Sequence, residues 1–120
     1  MDEFLYDENN VKHRWEGYDA IAQTKDAIKY MQANKENPFV LFVSYGPPHA
    51  PYKTAPQKYR DMYKDMDIKL RPNVPKERYG VAKDHIRGYY AHITALDDCV
   101  AALQKEVKNL GMEENTIFVF

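Results

Sequence analysis

His49 stands in the run Gly46-Pro47-Pro48-His49-Ala50-Pro51-Tyr52, an imidazole enclosed by prolines. Proline fixes its own φ and donates no N–H, so these residues end any strand before them and stiffen the loop that carries the histidine. Directly upstream, Phe39-Val40-Leu41-Phe42-Val43 is a continuous apolar run of aromatic and β-branched residues, the pattern of a strand buried on both faces, as in a parallel sheet. His49 is therefore expected on a rigid loop at the carboxyl end of a buried strand, where ligands collect in open α/β sheets. An imidazole there is a candidate for proton transfer, and an ordinary turn residue is the alternative.

Other residues of suitable type are less well placed. His85 and His92 lie seven apart on one helical stretch with no third ligand at matching spacing, so no metal site is expected of them. Asp97 and Asp98 are adjacent on the same stretch, point about 100° apart and do not readily close on one ion. Cys99 has no second cysteine to pair with and reads as a packing thiol. Tyr89 and Tyr90 read as residues that pack against a sheet.

The elements that must position His49 follow from the pattern around it. Met1 to Trp15 is mixed and charged, with no clear period, and reads as irregular chain, as does the whole of residues 1–17. Ile21, Ala27, Ile28 and Met31 fall near helical spacing, which places a helix over about Tyr18 to Ala33 before the strand at Phe39 to Ser44. After the loop, Thr54-Ala55-Pro56-Gln57 has the form of a capping box for a short helix with Tyr59, Met62, Tyr63 and Met66 on one face. Asp67 to Arg78, with Arg71-Pro72-Asn73 and Val74-Pro75, is an extended excursion of about twelve residues, a length that in compact domains tends to be functional or disordered.

Ile86, Tyr89, Ile93, Leu96, Val100, Leu103, Val107 and Leu110 recur at alternating steps of three and four. They predict a helix from Val81 to Leu110, about 45 Å long, ended by Gly111. A second apolar strand, Thr116 to Phe120, follows. Helix, strand, excursion, long helix and strand make a βαβ crossover, so the fold class is α/β with two parallel strands. Strands of this type need neighbours on both edges, and the chain is read as an internal piece of a larger enzyme.

Composition narrows the function. Hydrophobic residues make up 44%, which is globular, and 17 basic against 18 acidic residues with no one-signed run recommend neither nucleic acid nor an anionic membrane as partner. No apolar run reaches transmembrane length and no signal peptide opens the chain, so it is expected in the cytosol unless a leader precedes it.

Four stretches taken together, PFVLFVSYGPPHAPY, LRPNVP, RGYYAHITALDDCVAAL and LGMEENTIFVF, resemble the middle of a sulfatase of the alkaline-phosphatase superfamily. The likeness runs from about Tyr18 onward and is nearest to bacterial carbohydrate sulfatases of the mucin-desulfating, N-acetylglucosamine-6-sulfatase kind. It implies a fragment of a three-layer α/β/α sandwich, a sulfated saccharide as substrate and a periplasmic or secreted location. It also implies that His49, the histidine of the family's PHxP motif, contacts the sulfate near the leaving oxygen. An alkoxide is a poor leaving group, and a cationic imidazole can both steady the sulfuryl charge and give up a proton. Lys53 and Arg71 become candidate contacts for an anionic substrate, with solvated surface charge as the other reading of each.

The same likeness implies calcium and a formylglycine nucleophile in the intact enzyme. Neither is expected to be held here: no Cys/Ser-x-Pro/Ala-x-Arg motif occurs, Cys99 does not match one, and the early Asp-Asp pair is missing. The chain alone is expected to be inactive and, with two buried-type strands lacking neighbours, to self-associate. Two alternatives stand beside this reading. One is a phosphoryl-transfer enzyme of the same superfamily, such as a phosphonate monoester hydrolase; the other is a non-catalytic binding or scaffold domain.

Overall fold

The computed structural model describes residues 4–7 and 9–120. In chain order the elements are β1 (Phe4–Tyr6), β2 (Lys12–Arg14), α1 (Asp19–Asn34), α2 (Gln57–Tyr63) and α3 (Tyr79–Asn109), with single 3-10 turns at Tyr52–Thr54, Lys76–Arg78 and Glu113–Asn115. The chain forms two compact units, one running up to Tyr45 and resuming at Asp98–Phe120, the other Gly46–Asp97.

The N-terminal stretch is not all irregular. β1 and β2 pair antiparallel, Phe4 with Arg14, Leu5 with His13 and Tyr6 with Lys12. The turn between them is built by Asp7, whose carboxylate accepts from the backbone N–H of Asn9 and of Val11, both at 2.9 Å, and from His13 Nε2 at 2.8 Å. Asn10 takes the left-handed φ of 59° that asparagine tolerates. Three-residue strands are too short to show alternation, so their periodicity carries no signal. Met1 to Glu3 and Glu8, part of the same reading, lie outside the described residues.

The core of the first unit is Ala27 and Met31 of α1 against Leu103 and Val107 of α3, with Ile28, Phe39, Leu41, Val43, Leu110 and Met112 packed on it. Phe39 to Tyr45 alternates: Phe39, Leu41, Val43 and Tyr45 are half-buried, while Val40 and Phe42 are 77% and 91% exposed. The period of two is that of a strand with one face on helices. No described segment pairs with it, nor with Thr116–Phe120, where Ile117 and Val119 are each 90% exposed. The expected parallel ladder is therefore absent among the described residues, because a ladder needs neighbours that the described segments do not supply.

Two further expectations change. Thr54 caps no helix: its hydroxyl donates to Pro51 O at 2.8 Å, and α2 starts at Gln57 after Pro56, with the Gln57 amide turned to Asp61. Of the expected apolar face only Tyr59 is buried, and Met66 lies beyond the helix. α3 has the expected extent, but its N-terminal half buries Gly88, Ala91, His92 and Ala95 and leaves Tyr89 and Ile93 39% and 43% exposed. Small residues there admit a close main-chain approach: a Cβ on Gly88 would meet the Tyr52 carbonyl group. The C-terminal end follows its signals, with Gly111 at φ 70°, Gly111 N–H on Lys108 O and Met112 N–H on Val107 O, both at 3.0 Å.

Candidate active site

His49 lies in a tight turn of the second unit, its N–H bonded to Gly46 O at 3.2 Å, between two cis links, Pro47–Pro48 and Ala50–Pro51. The side chain is exposed. Its Nδ1 is 2.8 Å from Ala50 O. A carbonyl only accepts, so Nδ1 carries the proton, and Nε2 makes no hydrogen bond among the described residues. The ring thus has one nitrogen tied to its own loop and the other free to act. In the neutral ring Nε2 is a lone pair; in the cation it is an N–H donor.

Ala50 and Pro51, next in the chain, border an open groove of about 790 Å³ that His49 itself does not line and that also takes in Tyr52, Lys53, Gln57, Arg60, Asp61, Lys64, Asp84, His85 and Arg87. Four basic side chains face two acidic ones, so the lining favours an anion. Their availability differs. Arg87 is fully engaged, Nε and Nη2 on Met66 O at 3.2 and 2.9 Å and Nη1 on Asp84 at 3.1 Å. Arg60 donates through Nη2 to Gln57, and its enclosed Nε meets no acceptor. Lys53 is exposed at the 3-10 turn beside the loop. Arg71 is exposed on the excursion and does not line this groove.

His85 and His92 make contacts with the loop that follows His49. The His85 ring lies 5.2 Å from that of Tyr52, which also meets Tyr89 edge-on at 6.2 Å. His92 is 1% exposed, with Nε2 3.4 Å from Pro51 O. Arg60, Lys64 and the contacts of the loop main chain with Gly88 and His92 were not foreseen from the sequence. For those two contacts a signal existed, since Gly88 and His92 are four apart and so share one helical face.

Cys99 is a buried thiol that forms no disulfide, and Asp97 and Asp98 are exposed. Among the described residues no group of three His, Cys, Asp or Glu side chains could hold a metal ion. The described residues do not fit the calcium site that the resemblance implies, and the sequence holds no motif for its nucleophile. No described helix is long and apolar enough to cross a membrane.

The sulfatase family model matches residues 2–120. The chain is 42% identical over 119 residues to the ulvan-active sulfatase of Formosa agariphila, covering 96% of this chain and 23% of that one. It is 23% identical over 126 residues to the endo-4-O-sulfatase of Bacteroides thetaiotaomicron, covering 96% and 24%. Among solved structures, yidJ from Bacteroides fragilis, assigned to the sulfatases, superposes with a TM-score of 0.85 at 28% identity over 97% of this chain and 28% of that one. A chain from work on glycosaminoglycan metabolism by Bacteroides thetaiotaomicron superposes at 0.82, with 22% identity over 96% and 26%, which speaks to fold alone. The chain spans about a quarter of the length of the curated relatives it matches.

Proposed function

Because this chain belongs to the sulfatase family and has its α/β fold, we propose that it forms part of an enzyme that hydrolyses sulfate esters of carbohydrates, with His49 as the acid that assists the leaving alcohol. The observation that carries this reading is the state of the His49 ring. Nδ1–H is held by Ala50 O, and Nε2 is presented from an exposed, proline-bounded loop.

In the protonated ring, Nε2–H donates to the bridging ester oxygen as the S–O bond breaks. The sugar then leaves as a neutral alcohol, the S–O electron pair stays on its oxygen, and the ring is left neutral. The positive charge also lies beside the departing sulfuryl group. The acceptor of that group is formed by residues this chain does not contain. Lys53, on the rim of a groove with an excess of basic side chains, is proposed as an electrostatic contact for the sulfated substrate. Arg71 has no geometric tie to the groove and is left as solvated charge. The carbohydrate class is supported by the names of two relatives, the ulvan-active sulfatase and the endo-4-O-sulfatase. Nothing in the geometry favours the narrower mucin-desulfating likeness.

The test is release of inorganic sulfate from sulfated polysaccharides by the intact protein that contains this chain, beside its activity on phosphate monoesters. Sulfate release that drops by about 10²-fold or more in His49→Ala is expected. A protein that cleaves the phosphate esters and leaves the sulfates untouched would refute the reading.

A further inference from the structure

Three donors converge on the Pro51 carbonyl. Thr54 supplies its N–H at 3.2 Å and its hydroxyl at 2.8 Å, which ties the loop to itself. The third is Nε2 of His92 at 3.4 Å, from α3, 41 positions further along the chain. His92 is the largest fully buried side chain of the described residues. Since a carbonyl only accepts, its Nε2 carries the proton. Filling this space with an imidazole rather than an apolar group of similar volume carries a desolvation cost unless its polar atoms are bonded, so the donor has a use beyond volume.

One turn earlier on the same face, Gly88 has no side chain where Tyr52 passes. A Cβ there would lie 2.9 Å from both the carbonyl carbon and the Cβ of Tyr52, closer than real contacts of this kind. The main chain at 51–52 therefore rests on α3 at two adjacent points, a gap at Gly88 and a donor at His92. Upstream, the acceptor that sets the His49 ring is the carbonyl of Ala50, the residue bonded to Pro51. Whatever moves Pro51 moves that acceptor.

We propose that the Gly88–His92 face of α3 is the seat of the His49 loop, with His92 a positioning residue that acts through the Pro51 carbonyl to keep the His49 ring in its Nδ1–H form, Nε2 outward. This deepens the acid role of His49 and rests on it for its catalytic consequence, though not for its structural one.

The experiment uses the intact protein labelled with 15N-histidine, the His49 ring signals being identified by their loss in His49→Ala. The wild type should show His49 as the Nδ1–H tautomer. His92→Leu keeps the volume and removes the donor; it should shift those signals toward the Nε2–H form and cut turnover of sugar sulfates about tenfold or more while changing activated aryl sulfates by less than about threefold. His92→Gln, which can still donate, should restore both. His49 signals that stay in place in His92→Leu, with sugar and aryl substrates losing activity alike, would overturn the proposal in favour of simple packing.

Should His92→Leu fail to fold, Gly88→Ala retains the imidazole and crowds Tyr52, and it should move the same ring signals; unmoved signals again overturn the seat. The spectrum reports on the seat whatever the chemistry. A His49 ring that moves while His49→Ala itself leaves sulfate turnover intact would refute the acid role and leave the seat standing.

Discussion

A single hydrogen bond separates a poised imidazole from a decorative one in this chain. The turn that carries His49 was legible in the sequence because prolines are local punctuation: they end regular pairing and stiffen the loop, whatever packs around them. Its seat was legible only as a shared helical face of Gly88 and His92, because what a glycine and a histidine do on a helix comes from the carbonyls laid against them. The same distinction applies to Tyr45. The Thr24 hydroxyl donates to Ala20 O at 2.7 Å, so at its 2.7 Å contact with Tyr45 it must accept, and the phenol donates. Burial pushes the Tyr45 pKa above its ordinary 10.0. The folded state thus holds this proton more tightly, and its contribution to stability is complete below the unfolded pKa and is lost as pH rises through the folded one. Comparing urea midpoints at about pH 8 and about pH 11, the alkaline loss should be smaller in Tyr45→Phe than in the wild type. Equal losses would mean the other tyrosines account for it.

Among the elements, α1 and α3 were readable in extent because spacing at three and four and the end signals are written locally. Which face α3 buries was readable only in its C-terminal half, where Leu103 and Val107 meet α1. In the N-terminal half the close-packed face is made of Gly88, Ala91, Ala95 and the polar His92, and hydrophobicity alone pointed instead to Tyr89 and Ile93. At the end of α3, Gly111 occupies a φ that a Cβ disfavours, and the bonds of Gly111 and Met112 to Lys108 and Val107 close the helix. Gly111→Ala should therefore cost about 1 kcal/mol, measured as a lowered thermal midpoint. A midpoint that does not fall would show that the turn relaxes without the left-handed residue.

On the scale of the whole molecule, the strand expected at Phe39 to Ser44 survives as the alternation of Phe39 to Tyr45, but neither it nor Thr116–Phe120 is paired among the described residues, since a ladder belongs to two segments at once. The outward residues of those runs, Val40, Phe42, Ile117, Val119 and Phe120, leave apolar surface and backbone groups open together. The chain by itself should accordingly self-associate, and Phe42→Lys with Val119→Lys should reduce it. Sedimentation that shows a monomer at high concentration for the unmodified chain would contradict this.

The central claim is that His49 gives a proton to the leaving oxygen, and a leaving-group series on the intact protein and its His49→Ala variant tests it most directly. Acid assistance is worth about 10²–10⁴-fold when the leaving group needs a proton and little when it does not. His49→Ala should therefore lose most of that factor on sugar sulfates and little on aryl sulfates with acidic phenols, so that the variant depends more steeply on leaving-group acidity. Equal losses across the series would contradict the acid role.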